Sequence, residues 1–317
     1  MTYFKILSLD GGGSRGTFTA SFLNEIQRLV DQPLYRYFDL IVGTSTGGII
    51  GLAIALGIPI AEVLTLYEAK AKIVFGRGKR FPLFSPKHNF KNGLESELQK
   101  VFGNQRLGDA KTRLLIPTID LTTGQVKVFK TPHHQDFYKD YEEFCWQVAM
   151  ATSSPPIFAS SFLNDKGFNL VDGGIWANNP ALIGVIEAIY KLGNHPQNIQ
   201  LLSIGTGKLK KSFSNRKALK WGFFQWLLIS KGALFKLFMN SQSQFVNNVL
   251  RYYNLNHYER IDFNLDRDYA LDDYKHVSKF KTIGIQKAQE MGKRIKEVFL
   301  NDTHQPYQPF YGKGGLQ

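Results

Sequence analysis

The chain has 317 residues, a length that fits one large α/β domain or two small ones. Hydrophobic residues make up 43% and aromatic residues 14% of the chain, which is enough apolar material for a sizeable core. Its single cysteine, Cys145, excludes a framework of internal disulfides and fits a reducing cytoplasm, and its aromatic neighbours predict a core position. No apolar run is long enough to span a bilayer, and we expect no secretory signal because Asp10 interrupts the first hydrophobic stretch. The formal net charge of +13 favours an anionic partner.

A glycine-rich loop follows the first predicted strand. Phe4–Leu9 is predicted to be a buried strand, and the loop D-G-G-G-S-R-G at 10–16 leads to an amphipathic helix over 18–30. The loop matches G-x-G-x-x-G, but a dinucleotide-binding oxidoreductase also requires an acidic residue after the second strand, where this chain has a turn with Ser45. The other interpretation is a nest of backbone N–H groups that binds an oxyanion. Arg15 then helps to hold the loop, or is an ordinary surface arginine.

The second predicted strand, 38–42, runs into the turn G-T-S-T-G-G and a helix over 48–56 that is apolar on all sides. Ser45 at the apex of this turn, with Gly43 and Gly47 two positions to either side, is typical of a nucleophile elbow. The helix that follows points its free N–H groups at developing negative charge. On this motif alone, a glycine turn that only packs a helix on a sheet is the alternative.

Helices and strands alternate through the middle of the chain. The predicted elements are a helix over 59–72, a basic loop over 76–82, a helix over 89–102, strands over 112–118 and 126–130, a helix over 141–152, a strand over 168–171, a helix from 178 to 190 and a strand over 199–204. This alternation predicts an α/β fold with a largely parallel sheet and a site at the carboxyl ends of its strands. We predict a single catalytic domain over 1–317, with a basic and aromatic insertion around 208–258 and an irregular tail after residue 301.

The predicted strand over 168–171 presents Asp172, Gly173 and Gly174 at its end, although a simple Asp-Gly turn explains this motif better when it is taken alone. A serine nucleophile needs a base, and none of the seven histidines follows a strong strand. The histidines are His88, His133, His134, His195, His257, His276 and His304. A carboxylate can accept the serine proton directly when it is close and partly desolvated, so a dyad of Ser45 and Asp172 fits better than a triad.

The positive charge is concentrated in two segments. Residues 69–94 contain seven Lys or Arg and residues 188–258 contain ten, with no Asp or Glu in either, whereas the rest of the chain has 22 basic and 26 acidic residues. Such segments favour a membrane surface, a nucleotide or nucleic acid, and a solvated basic surface without a partner is the alternative. In the first segment Arg77, Lys79 and Arg80 lie beside glycines, where a loop could close around phosphates.

The second segment includes an aromatic and basic stretch over 208–238. Its combination of Trp, Phe and Lys suits a membrane interface. A core helix explains the same composition, and the sequence leaves both interpretations open.

Together these motifs resemble those of patatin-like phospholipases. Three motifs occur in the family's order: D-G-G-G-S-R-G at 10–16, G-T-S-T-G at 43–47 and D-G-G at 172–174. Supporting matches are A-T-S-S-P at 151–155, N-N-P at 178–180 and S-I-G-T-G at 203–207. The resemblance covers roughly residues 5–207 and implies a three-layer α/β/α fold and an acyl hydrolase with Ser45 as nucleophile and Asp172 as base. It also implies an oxyanion hole formed by Gly11, Gly12 and Gly13, and no catalytic metal.

Within the family, K-H-N-F-K-N-G-L at 87–94 and I-W-A-N-N-P at 175–180 resemble the compact bacterial effectors of CBASS antiphage systems. This resemblance implies a cytoplasmic phospholipase of the A type that a cyclic dinucleotide activates and that degrades its own cell's membrane from the inner surface. It implies no nucleic-acid polymer as a partner and leaves a homodimer or larger oligomer open. The alternatives are a constitutive patatin-like lipase without nucleotide control and an oxidoreductase, which rests only on the first glycine loop.

Overall fold

The computed structural model of the protein describes residues 3–75, 93–156, 160–209, 233–313 and 315. Its strands are β1 (Phe4–Leu9), β2 (Leu40–Gly43), β3 (Arg113–Asp120), β4 (Gln125–Lys130), β5 (Phe162–Leu163), β6 (Asn169–Asp172), β7 (Ile199–Ile204), β8 (Lys208–Leu209), β9 (His257–Ile261) and β10 (Asn264–Leu265). Eight of them form one sheet in the order β5-β6-β3-β2-β1-β7-β9, with β4 also paired to β3, while β8 and β10 pair separately. The run β3-β2-β1-β7-β9 is parallel, which confirms the predicted largely parallel α/β sheet.

Helices cover both faces of this sheet. They are α1 (Gly16–Gln27), α2 (Thr46–Leu56), α3 (Ile60–Glu68), α4 (Ala71–Val74), α5 (Leu94–Phe102), α6 (Cys145–Thr152), α7 (Gly174–Ala177), α8 (Ala181–Tyr190), α9 (Ala233–Leu250) and α10 (Val277–Phe299). Alternate residues of β1 face the two layers: Leu7 and Leu9 pack with α1, α2, α3, α5, α6 and α10, whereas Ile6 packs with α8 and α9. Every residue of α2 is buried, as its apolar sequence predicts.

Several predicted helices have different bounds in the structure, and the helix predicted over 18–30 is α1 (Gly16–Gln27). The helix predicted over 59–72 is divided into α3 and α4, and no glycine or proline marks the break. The helix predicted over 141–152 begins only at Cys145, because the carbonyl groups of Tyr141 and Glu143 accept hydrogen bonds from Gly108 and Leu107 instead. The helix predicted from 178 begins at Ala181, directly after a proline.

The C-terminal part contains two elements that the sequence did not predict, β9 and α10. Buried small residues on α10, Gly284, Ala288 and Gly292, allow it to lie close against α1, where the Ser21 hydroxyl donates to the Lys281 carbonyl at 3.2 Å. In the described part of the chain no helix combines the length and hydrophobicity needed to cross a membrane. The basic loop predicted over 76–82 and most of the aromatic stretch over 208–238 lie outside the described residues.

The position of β6 determines where the site forms. Antiparallel β4 pairs with β3 from Leu115 to Asp120 and therefore occupies one edge of that strand. Parallel β2 pairs with the first half of β3 and antiparallel β6 with Thr118 to Asp120, so both must use the other edge. Because β2 and β6 approach along the same edge from opposite directions, the residue that ends β6 meets the turn that follows β2.

Candidate active site

Ser45 lies between β2 and α2 in a sharply turned backbone conformation, with φ 55° and ψ −124°. This conformation is unfavourable for a residue with a side chain, and its presence in a strand-to-helix turn is the mark of a nucleophile elbow. A Cβ atom on Gly47 would lie 2.2 Å from the Leu9 carbonyl oxygen, and one on Gly43 would lie 2.3 Å from the Gly47 carbonyl oxygen. Only glycine allows the backbone to pack this closely around the serine.

A threonine side chain holds the elbow against the sheet. The Ser45 N–H donates to Thr152 Oγ1 at 2.9 Å, and the same hydroxyl donates to the Pro117 carbonyl at 2.7 Å. Thr152 is fully buried at the end of α6. Sequence reasoning assigned it no role, although it belongs to the A-T-S-S-P motif.

Asp172 is placed directly against the serine. The Ser45 hydroxyl donates to Asp172 Oδ2 at 2.6 Å, and the Gly174 N–H donates to Asp172 Oδ1 at 2.7 Å. Asp172 is 3% exposed, and burial raises its pKa to about 7 although both hydrogen bonds lower it. A carboxylate with this pKa is suited to accept a proton from the serine near neutral pH.

No described histidine contacts the pair. His88 lies outside the described residues, and the other six bond elsewhere and do not line the cavity around Ser45. The most buried of them, His133, is held by the Thr131 hydroxyl at 2.8 Å and by Glu187 at 3.1 Å, and its burial lowers its pKa.

The glycine loop after β1 lies beside the serine, but its three glycines differ in their hydrogen bonding. The Gly11 N–H donates to the Asn178 carbonyl at 3.0 Å and is used within the fold. Among the described residues nothing accepts the N–H groups of Gly12 and Gly13, and both residues line the same cavity as Ser45 and Asp172. The two free donors are therefore those of Gly12 and Gly13.

The comparisons with known proteins agree with this geometry. A family model described as patatin-like phospholipase matches residues 7–185, which contain the glycine loop, Ser45 and Asp172. The chain belongs to the patatin-like phospholipase family.

Three relatives of this patatin-like phospholipase are informative. It is 32% identical to a cGAMP-activated phospholipase of Pseudomonas aeruginosa, over 97% of this chain and 91% of that one. It is 35% identical to a cGAMP-activated phospholipase of Vibrio cholerae over 64% of each chain, and 29% identical to a cUMP-AMP-activated phospholipase of Escherichia coli over 68% of this chain and 70% of that one. The predicted family is confirmed, as are the ester-hydrolysing class of enzyme and the likeness to members that respond to cyclic dinucleotides.

In this patatin-like phospholipase, Asp10 at the start of the glycine loop forms an ion pair that the sequence did not predict. Arg260 on β9 donates to Asp10 Oδ1 at 2.9 Å and Oδ2 at 2.6 Å, and to Asp262 at 3.2 Å. Burial raises the pKa of Asp10 to about 6, although the charge of Arg260 opposes this. Burial alone would lower the pKa of Arg260, but the two carboxylates raise it above its ordinary value. Arg15 also supports the loop, since its side chain donates to the carbonyls of Gly12 at 3.3 Å and Gly207 at 3.2 Å.

The cavity around Ser45, here called the catalytic cavity, is mostly apolar, although Thr46, Ser153 and Asp272 also line it. Its apolar lining consists of Ile49, Leu66, Tyr67, Val74, Phe75, Leu94, Pro155, Met239 and Leu271. The Tyr67 hydroxyl is hydrogen-bonded to Thr46, so it does not present an unpaired polar group to this lining. Such a wall suits a hydrocarbon chain, and no group of His, Cys, Asp or Glu that could hold a metal occurs in the described ranges.

Proposed function

We propose that this protein is a serine acyl hydrolase that cleaves acyl esters of membrane phospholipids with the dyad of Ser45 and Asp172. The observation that carries the proposal is the 2.6 Å hydrogen bond from the Ser45 hydroxyl to Asp172 Oδ2. Neither side chain is more than 8% exposed, so the proton transfer takes place away from bulk water.

Each step of the reaction uses a group that the structure places nearby. Asp172 accepts the hydroxyl proton as Ser45 Oγ attacks the ester carbonyl carbon, and the N–H groups of Gly12 and Gly13 donate to the resulting oxyanion. When the tetrahedral intermediate collapses, protonated Asp172 gives its proton to the departing lysophospholipid oxygen. A water molecule then loses a proton to Asp172 and attacks the acyl-serine, which releases the fatty acid and restores the serine.

A membrane surface is the proposed partner because the substrate is held there. On α9, Phe238 and Phe245 are 54% and 61% exposed, and Phe238 directly precedes Met239, which lines the catalytic cavity. Exposed aromatic side chains in a segment without acidic residues suit an anionic lipid interface. We place this action at the cytoplasmic face of the membrane.

Control by a cyclic dinucleotide is the second part of the proposal, and it makes the protein an antiphage effector. Its support is the likeness to relatives described as activated by cGAMP and by cUMP-AMP. An activator raises activity only by binding the active arrangement more tightly than the inactive one. The basic residues Arg77, Lys79 and Arg80 stay one candidate for its phosphates, outside the described residues.

One observation favours a constitutive lipase instead. Ser45 and Asp172 are already hydrogen-bonded in the structure, so the dyad itself needs no rearrangement. Activation must therefore act on access to the catalytic cavity or on the glycine loop. If neither changes, no nucleotide is required.

The test is hydrolysis of phospholipid vesicles and of a soluble short-chain ester by pure protein, alone and with a panel of cyclic dinucleotides. We expect vesicle hydrolysis to be low alone and to rise steeply with one member of the panel. Ser45→Ala should be inactive throughout, whereas Ser278→Ala, on the exposed side of α10, should behave as wild type. No ester cleavage under any condition would refute the acyl hydrolase, and full activity that the panel leaves unchanged would leave the constitutive lipase.

A further inference from the structure

A second cavity of about 270 Å³ lies at the carboxyl ends of β1, β7 and β9. Among the described residues, only Met239 lines both this cavity and the catalytic cavity. We call it the junction cavity, and its described lining is Asp10, Arg15, Asn178, Thr206, Gly207, Lys208, Met239, Asn240, Ser243, Gln244, Asn247, Arg260 and Asp262. The Ser45 dyad uses none of its side chains.

The topology of the sheet makes this a favoured place for a ligand. Strands β1, β7 and β9 are parallel neighbours, so their carboxyl ends lie together at one end of the sheet. In open α/β sheets, ligands bind outside the carboxyl ends of the strands.

The lining of the junction cavity combines amide groups with positive charge. Asn240, Ser243, Gln244 and Asn247 recur at helical spacing, so α9 turns one polar face to the cavity. Carboxamide side chains pair with the hydrogen-bonding edge of a nucleobase. The lining also contains the cations Arg15 and Lys208, which suit phosphate.

The charges of this lining do not cancel. Asp10 and Asp262 are both bonded to Arg260, and Arg15 and Lys208 bring the cations to three against two carboxylates. The lining therefore carries an excess of positive charge.

We propose that the junction cavity binds one nucleotide unit of the cyclic dinucleotide, with the base against α9 and the phosphate against Arg15 and Lys208. This inference rests on the nucleotide control proposed above. The volume is near the lower end of the range for ligand pockets, about 300–1,000 Å³, so the second unit lies at the mouth of the cavity.

The site connects to catalysis through Arg15 and Thr206. Arg15 joins the carbonyls of Gly12 and Gly207, and the Thr206 hydroxyl donates to the Gly11 carbonyl at 2.7 Å. A phosphate that hydrogen-bonds to Arg15 weakens its hydrogen bond to the Gly12 carbonyl, and Gly12 carries one of the two free N–H donors of the glycine loop. The bound nucleotide thereby changes the conformation of the glycine loop and leaves the Ser45–Asp172 hydrogen bond as it is.

Binding is measured by calorimetry with cGAMP and cUMP-AMP on the Ser45→Ala protein, which cannot turn over lipid. The double variant Asn240→Leu with Gln244→Leu removes two of the three amides that α9 contributes and should raise the Kd of the nucleotide that binds by about tenfold or more. Asn248→Leu makes the same chemical change at an exposed position of α9 that does not line the junction cavity, and it should stay within about twofold of wild type. Thermal melting without nucleotide shows that each variant is folded, and Lys208→Gln replaces the double variant if that one is not.

Two different results would overturn the inference. Unchanged binding by the double variant and by Lys208→Gln excludes the junction cavity. If Arg77→Glu and Arg80→Glu then weaken binding, the site lies in the basic segment 69–94. If the wild-type chain binds neither nucleotide while it hydrolyses vesicles fully, nucleotide control itself is refuted and the acyl hydrolase stands.

Discussion

Replacing the catalytic carboxylate by its amide should make the protein more stable at alkaline pH. Asp172→Asn keeps the shape of the side chain, and its carbonyl oxygen can still accept the Gly174 N–H while its NH₂ group donates to Ser45 Oγ. The variant therefore keeps both hydrogen bonds and loses only a buried negative charge, which costs free energy in the folded wild-type protein.

The pKa of Asp172 gives the size and the sign of the effect. Burial raises that pKa from 3.8 to about 7. At about 1.4 kcal/mol per pKa unit, the charged form costs the folded state about 4 kcal/mol above pH 7. Well below pH 3.8 the carboxyl group is protonated in both folded and unfolded chains and costs nothing, and at pH 4 the cost is still small. Between these limits the wild type loses stability relative to the variant as the pH rises.

The measurement is the free energy of unfolding by urea at pH 4, 6 and 8 for both proteins. The variant should gain little at pH 4 and most at pH 8. Asp266→Asn is the matched control, because the Lys279 and Tyr269 side chains lower the pKa of Asp266 to about 2 and its loss should not stabilise the protein. A difference between Asp172→Asn and wild type that is absent at pH 8, or equal at all three pH values, would show that the carboxylate is not penalised by burial.

Three further predictions concern the reaction. Ser45→Ala should abolish ester hydrolysis in a folded protein, and Asp172→Asn should lower it by about 10²–10⁴-fold, since the general base is lost; normal turnover by either would remove the dyad. For the wild type, kcat/KM on a soluble ester should rise with pH to a plateau above the Asp172 pKa of about 7, and at pH 5 it should be about one hundredth of the plateau value. A kcat/KM that does not change with pH would contradict a carboxylate base. Thr152→Val should slow hydrolysis and lower stability by about 1–3 kcal/mol, because the Ser45 N–H and the Pro117 carbonyl lose their partner. Thr152→Ser keeps the hydroxyl and should restore both the hydrolysis rate and the stability. Equal behaviour of the two variants would show that the Thr152 hydroxyl does not hold the Ser45 turn.

Local features of the fold could be predicted from the sequence because they depend on neighbouring residues. The bounds of β1 and β7 match the predictions, since short apolar runs that end in glycine turns leave little choice. The Ser45 elbow is predictable for the same reason, because a strand, a glycine turn and an apolar helix follow one another within a short stretch.

Features that depend on strand pairing were not predictable. The pattern around Asp172 indicated a strand end, but not that β6 is antiparallel to β3 and shares an edge with β2. The ion pair of Asp10 with Arg260 joins residues 250 positions apart, and no local pattern marks Arg260 as its partner. Three consecutive glycines suggested three equivalent donors, whereas the Asn178 carbonyl takes the N–H of Gly11.

The meeting of β2 and β6 on one edge of β3 has a consequence for the growing chain. Ser45 and Asp172 are 127 positions apart, so a nascent chain that ends before β6 has a nucleophile without a base. A slip of β6 by one residue would move Asp172 by about 3.3 Å and turn its side chain to the other face of the sheet. A protein proposed to attack its own cell's membrane thus acquires its chemistry only when most of the sheet has been synthesised and paired in a single register.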